Sequence, residues 1–330
     1  MTRRAVTLAG TAPRPLAQQF EHRVTVHQLR IFKAVADHRS FSRAAETLHL
    51  SQPAVSHQIK TLAAAAEVSL FEEIARRIHL TAAGQLLYEH ASRILTDFES
   101  AGFALEELHG LRHGFLRLSG DTTVGIYVLP DLLGAFKEVH RDVEMRLDVG
   151  NRQHVYERLL ANETDFAVVG RPWPRPAIPL IVRPFLPNEL IAVASPQHPL
   201  AKARRVSLKQ LAAEPFILRE PGSGTRETSE EALRHSGRPV YTVMELSSNG
   251  AIKRAVARGL GITIISRYAV SLELKLGLLV ELKVAGFPLR RRWHLVYPRD
   301  KRLGSVDEAF LDFLAEGRWR ASLGESVSTD

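Results

Sequence analysis

Residues 41–60, FSRAAETLHLSQPAVSHQIK, read as two short helices around a break, and no other stretch constrains the fold as tightly. Phe41, Ala44, Ala45 and Leu48 share one apolar helical face behind Ser40, a candidate N-cap. The small alanines let another helix approach closely. His49 and Leu50 form the break. Ser51 can cap the next helix, and Pro53 falls in its first turn, where a missing N–H has no intrahelical partner anyway. In that helix Val55, Ile59 and Leu62 point inward, while Gln52, Pro53, Ser56, His57 and Lys60 point outward. Upstream, VHQLRIFKAVAD puts Leu29, Phe32, Val35 and Ala36 on one face of a further helix. Two short helices in tight succession, the second with a small polar outer face, describe a helix-turn-helix. The major groove of duplex DNA admits such a helix. Gln can bridge an adenine, Ser can pair with several bases or a phosphate, and His and Lys can donate to guanine or phosphate. The plainer alternative is an αα-hairpin with a solvated face.

Charge favours DNA. The formal net charge is +8, and residues 1–80 hold 11 Lys/Arg against 6 Asp/Glu, so most of the excess sits around this motif. LFEEIARRIHL then reads as a two-stranded wing whose Arg76 and Arg77, near its turn, suit phosphates, which position a protein without reading sequence. The chain has no Cys, which excludes disulfides and thiolate chemistry, and its 14 His show no HExxH or similar spacing, so no metal or cofactor is expected. No apolar run reaches the ~18 residues of a membrane span. The opening MTRRAVTLAGTAPRPLAQQF has no apolar core of a signal peptide, so residues 1–23 read as a flexible leader of a cytoplasmic protein.

From residue 81 the chain reads TAAGQLLYEHASRILTDFESAGFALEELHG, with Thr81 as N-cap and Gly110 as stop. Leu87, Ala91, Ile94, Phe98, Ala101, Leu105 and Leu108 alternate steps of four and three, a heptad seam along a helix of roughly 45 Å. A stripe this narrow predicts a homodimer linker over residues 83–112, with Leu87, Ile94, Phe98 and Leu105 in the seam. Two recognition helices held together read two half-sites. A long helix lying across its own domain is the alternative.

Residues 115–297 alternate strands and helices and predict, over 113–320, an α/β domain on a parallel sheet covered on both faces. The pattern restarts near Arg183, and RRWHLVY can return to the first sheet. One lobe (113–183 and 287–320) is therefore interrupted by a second (184–286). A last helix opens at Ser305-Val306-Asp307-Glu308, a capping box, and runs to about Trp319, leaving 321–330 as a tail. Ligands in such sheets sit at the carboxyl ends of strands, between lobes. Those ends carry Thr122 and Thr123, with Tyr127 beyond them, then Asn151, then Gly170 and Arg171. The second lobe offers Ser223, Gly224, Thr225 and Arg226, and then Ser248 and Asn249. Taken singly each can be turn chemistry. Taken together on one cleft rim they predict a binding site for a small anionic metabolite. EPGSGTR resembles a phosphate-cradling loop entering a helix, although it lacks the P-loop pattern. No GxSxG elbow or close carboxylate pair appears, so an enzyme is not expected.

The whole order resembles the LysR-type transcriptional regulators. FSRAAETLHLSQPAVSHQIKTL followed by LFEEIARRIHLTAAG is close to that family's DNA-binding signature, and the likeness covers about residues 24–318. It implies a winged helix-turn-helix over 24–82 and a periplasmic-binding-protein-like effector domain. It also implies homotetramers built as dimers of dimers, double-stranded promoter DNA and RNA polymerase as partners, and no membrane. VGNRQHVYERL, PFILREPGSGTR and ELSSNGAIKRAVARGLGITIISR look like the CbbR branch, which controls carbon-fixation operons and responds to phosphorylated sugars and related metabolites. Departures are Ala63–Ala66, where the family commonly carries Glu and Gly, Ala75 for a usual wing Gly, and His57 where many members carry Arg. Competing readings are a solute-binding protein, which shares the two-lobed domain, and an architectural DNA binder without a working pocket.

Overall fold

The computed structural model describes residues 16–75, 77–108 and 114–323, and divides into two compact units, residues 1–101 and 102–330.

The first unit opens with α1 (Leu16–Arg23), which packs against α4 and sets Phe20 on the unit's core. The expected flexible leader is thus corrected from residue 16 onward, where the chain is helical and Phe20 packs, partly buried, on that core. Residues 1–15 lie outside the described residues. Next come α2 (Val26–His38), α3 (Phe41–Thr47) and α4 (Gln52–Ala66). Each start is capped by a short polar side chain. Thr25 accepts from Gln28 N at 3.2 Å and Gln28 Oε1 reciprocally accepts from Thr25 N at 2.9 Å. Ser40 and Ser51 each accept from the third residue on, at 3.3 Å. The inward faces meet in one core: Phe32 and Val35 of α2, Ala44 and Ala45 of α3, and Val55, Ile59 and Leu62 of α4.

Strands β1 (Phe71–Ile74) and β2 (Arg77–Leu80) pair antiparallel from Phe71↔Leu80 to Ile74↔Arg77. Ala75 turns between them in the left-handed region at φ 50°. Helix α5 (Ala82–Leu108) follows. Thr81 caps it, accepting from Gly84 N at 3.0 Å. Gly84 is required there, because a Cβ would lie 2.0 Å from the Leu70 carbonyl. The expected seam is corrected at Leu87. With Tyr88, Ala91 and Leu95 it packs on the core of its own unit, while Leu86, Ile94, Phe98 and Leu105 stand exposed. The predicted stop at Gly110 lies outside the described residues.

The second unit contains β3 (Phe115–Asp121), α6 (Thr122–Tyr127), α7 (Leu129–Val139), β4 (Glu144–Gly150), α8 (Arg152–Leu160) and β5 (Phe166–Val169). Then come β6 (Leu180–Ala194), α9 (Leu208–Leu211), β7 (Phe216–Leu218), α10 (Gly224–Arg234), β8 (Thr242–Glu245), α11 (Asn249–Ala257), β9 (Thr263–Ser266) and α12 (Arg267–Lys275). β10 (Val280–Glu281), β11 (Leu289–Pro298) and α13 (Ser305–Glu316) complete it.

β3 lies between β4 and β5, all parallel. The expectation of a wholly parallel sheet is otherwise corrected. β11 runs antiparallel to β5, and β6 runs antiparallel to β11. The end of β6 also pairs antiparallel with β9 on the edge away from β11 and with β10 on the opposite edge, Val193 facing Thr263 on one side and Glu281 on the other. β7 and β8 form a separate parallel pair. The fifteen-residue β6 begins eight residues before the strand expected at Asn188. Pro184 and Pro187 disguise it. They are tolerated because β9 reaches only Leu190–Val193, so no second strand needs their N–H groups. Phe136, Phe166, Trp293 and Phe310 centre one core, around β3, β5 and α13, and Phe216, Leu190 and Ile262 another, around β7 and β9. α13 starts one residue earlier than a Ser305 cap would place it. Gly304 is the cap, its N–H donating to Asp307 Oδ2 at 3.2 Å, and the helix stops at Glu316 rather than Trp319 because Gly317 turns left-handed at φ 71°.

Candidate DNA-binding surface and effector cleft

Burial of Val55, Ile59 and Leu62 fixes the rotation of α4, which leaves Gln52, Pro53, His57 and Lys60 exposed and Ser56 half-buried. Gln52 Nε2 lies 3.5 Å from Ser56 Oγ, one turn on. Ser51 is engaged as the cap. Arg77 is exposed at the start of β2, and Arg76 lies outside the described residues. A protruding polar helix N-terminus beside a two-stranded wing is the shape that enters a groove and rests its wing on the backbone.

In the second unit the carboxyl ends of β3 and β5 face the N-termini of α10 and α11. Thr123 and Asn249, both buried, meet across the lobes, Asn249 Nδ2 donating to Thr123 Oγ1 at 3.2 Å. Arg219, after β7, donates to Asn249 Oδ1 at 3.1 Å. Arg152 and Arg171 both reach Glu227 on α10, at 3.3 and 3.4 Å. Tyr127 packs against the second lobe's buried cluster around Ile217, Ile252 and Val256, with Lys253 Nζ 5.1 Å from its ring. The cleft is thus closed by direct contacts between its lips.

Arg291 of β11 runs along the floor. It donates to Gly224 O at 2.6 Å, to Gly170 O at 3.3 Å and to the Thr228 hydroxyl. Burial, and then the nearby Arg171, make its charged form less favourable than usual. Asp121 ends β3 and accepts from Gly170 N at 2.7 Å. Burial pushes its carboxyl up to about 6, against the opposing pull of that hydrogen bond and of Arg152, Arg291 and Arg219.

Of the residues expected at the cleft, Thr123, Gly170, Arg171, Gly224 and Asn249 are brought together with Tyr127 at the edge. Ser223 is buried at the mouth of α10 with no capping bond. Thr122 is turned to Gly150 O at 3.1 Å, Asn151 caps α8, and Ser248 caps α11. Thr225 lies in the first turn of α10, where its carbonyl accepts from Ser229. Arg226 needs correction as a ligand-facing cation. It is held within the second lobe by Glu230 at 2.7 Å, Glu245 at 2.6 Å and the Arg219 carbonyl at 2.9 Å. Asp121, Arg152, Arg219, Glu227 and Arg291 were not foreseen. One signal did exist: Arg291 shares a strand face with Leu289 and Trp293, two residues away on either side, which sets a cation on an otherwise apolar face.

A winged helix-turn-helix joined to a two-lobed α/β domain with a polar interlobe cleft defines a DNA-binding regulator with a small-molecule effector domain. Comparison with known proteins gives the family. Residues 26–85 match the bacterial regulatory helix-turn-helix of the lysR family, and residues 109–319 match the LysR substrate binding domain. The chain belongs to the LysR family of transcriptional regulators, which are not enzymes. It is 43% identical over 290 residues to the HTH-type transcriptional activator CmpR of Synechocystis sp., covering 88% of this chain and 94% of that protein. It is 41% identical over 291 residues to the RuBisCO operon transcriptional regulator of Allochromatium vinosum, covering 88% and 95%. The regulatory domain of CcmR from Synechocystis PCC6803, solved in complex with 2-PG, superposes with a TM-score of 0.58 at 36% identity, over 62% of this chain and 97% of that one. The chain is therefore a close relative of the carbon-fixation regulators. Among the described residues no helix is long and apolar enough to cross a membrane, and no group of His, Cys, Asp and Glu could hold a metal ion.

Proposed function

We propose that this regulator controls carbon-fixation genes in response to a small anionic, phosphorylated metabolite held between the Thr122-Thr123 end of β3 and the Ser223–Thr225 entry to α10. The observation that carries this reading is Arg291. It is a largely buried guanidinium whose hydrogen-bond partners are two carbonyls and a hydroxyl, with no carboxylate among them. A buried cation without a bonded counter-charge is costly, and an entering phosphate supplies that charge. The N-termini of α10 and α11 add backbone donors, and Thr123 adds a hydroxyl. CmpR, the RuBisCO operon regulator and the 2-PG complex of CcmR support the choice of pathway and of ligand class.

In the same reading Gln52, Pro53, Ser56 and His57 contact bases, and Lys60, Arg76 and Arg77 contact phosphates. Ile94, Phe98 and Leu105 join two chains, and dimers pair into tetramers that engage RNA polymerase at the promoter. Only a ligand that binds the open and closed clefts differently can shift them, and one touching both lobes does so. The coupling expected is about 1–3 kcal/mol.

Calorimetry with phosphorylated and unphosphorylated anions on wild type and Thr123→Val tests the site. The phosphorylated anion should bind, and lose affinity in the variant. Equal binding to both proteins moves the sensor elsewhere. Sequencing DNA that co-purifies with the protein tests the pathway, and fragments remote from carbon-fixation genes would overturn it.

A further inference from the structure

One oxygen on the cleft floor has no partner. Asp121 uses Oδ2 to accept from Gly170 N–H, whereas its Oδ1 is buried and makes no hydrogen bond. The positive charges of three arginines act on this carboxyl: Arg152 on α8, Arg291 on β11, and Arg219 following β7. Each is turned elsewhere. Arg152 bonds Glu227, Arg291 bonds carbonyls and Thr228, and Arg219 bonds Glu220 and Asn249. A buried acceptor without a donor is unfavourable, and the cheapest remedy is a donor supplied by whatever enters.

We infer that Asp121 is a specificity residue of the cleft: its free Oδ1 accepts a hydrogen bond from a hydroxyl that the ligand carries beside its anionic group, so the cleft selects hydroxylated anions over anions that present acceptor oxygens alone. This rests on the reading of the cleft as an anion site. The arginines answer the ligand's negative charge, and Asp121 reads what lies next to it. An anion with only phosphate or carboxylate oxygens there would set acceptor against acceptor. It could enter only if Asp121 took up a proton and became the donor. The elevated carboxyl, at about 6, makes that uptake feasible near neutrality, but at a cost that a hydroxylated ligand avoids. Sites built on a polar group reject an analogue lacking its partner far more strongly than apolar pockets reject a missing methylene.

The test uses two matched pairs of probes on the full-length protein. They are 3-phosphoglycerate against 3-phosphooxypropanoate, which lacks the C2 hydroxyl, and glycerol 3-phosphate against propyl phosphate. Asp121→Asn keeps an acceptor for Gly170 N–H and turns an NH2 toward the ligand. Losing the negative charge helps every anion alike, so the affinity ratio within a pair is the readout. Wild type should favour the hydroxylated member of at least one pair by about tenfold or more, and the variant should abolish or invert that preference. Equal affinities within both pairs in wild type, or an unchanged preference in the variant, overturn this inference while the anion site stands. No binding by any of the four overturns both. If the variant does not fold, wild type decides. Calorimetry in buffers of different ionisation enthalpy should show extra proton uptake with propyl phosphate relative to glycerol 3-phosphate, and equal uptake overturns the inference.

Discussion

Replacing Asp121 with Asn should stabilise the protein, and increasingly so as the pH rises. The carboxyl titrates near 6 in the fold against 3.8 ordinarily, because it is buried. At about 1.4 kcal/mol per pH unit, its charged form costs the fold up to about 3 kcal/mol. The raised value gives the direction. Below about pH 4 the group is protonated in both states and contributes nothing. Between about 4 and 6 the unfolded chain ionises first, so stability falls, and above about 7 the full penalty is present. Roughly half of it, about 1.4 kcal/mol, develops between pH 5 and 8. Asn is neutral throughout and keeps the acceptor for Gly170 N–H, so its advantage over wild type should grow by that amount. For a unit of this size that is about 3–6 °C in Tm. Thermal melts of both proteins at pH 5 and pH 8, compared as a difference of differences, cancel every other titrating group. A variant whose advantage is constant, or shrinks toward pH 8, would show that Asp121 is not strained by its charge.

Three further substitutions test other parts of the molecule. Phe98→Asp puts a charge into the exposed stripe of α5 and should lower the sedimentation mass and the operator affinity together; a variant that keeps both removes Phe98 from the seam. Asp165 is buried against Arg117 at 2.7 Å and Lys301 at 2.9 Å. Asp165→Asn should cost about 3–5 kcal/mol in urea denaturation at pH 7. Arg117 and Lys301 overcome burial to hold this carboxyl below its ordinary range, so its contribution is present above the unfolded value and lost as the pH falls. The gap between the two proteins should therefore narrow in acid. Ala75→Gly relieves a left-handed alanine at about 1–2 kcal/mol and returns about 0.4–1 in chain entropy. A net gain of about 0.5–1 kcal/mol should appear in the wing as slower hydrogen exchange.

The helix-turn-helix was legible because everything that shapes it is local. Caps at Ser40 and Ser51 act three residues away, and Val55, Ile59 and Leu62 repeat within two turns of one helix. The strand-end rule likewise found Thr123 and Asn249, although not that they bond each other across 126 positions. Long-range partners explain what was missed. Arg291 reaches Gly224 from 67 residues away, and Asp121 meets Gly170 from 49. Arg226 sits in the right loop, but Glu230, one helical turn on, and Glu245 on β8 claim its guanidinium, and only the folded second lobe brings Glu245 near. Leu87 fits the heptad as well as Ile94 does. What separates them is the packing of α5 on its own unit, which periodicity does not register.

The two lobes are not strung on loose connectors. β6 and β11 stay hydrogen-bonded from Leu180↔Pro298 to Leu190↔Leu289, and their register slips only between Trp293 and His294. A paired ribbon of this kind behaves as a torsion bar: stiff to bending, compliant to twist. The one irregular step, at Trp293 and His294, is where such a ribbon departs from regular pairing and twists most, so the hinge between the lobes has a definite address on the strands rather than in a loop.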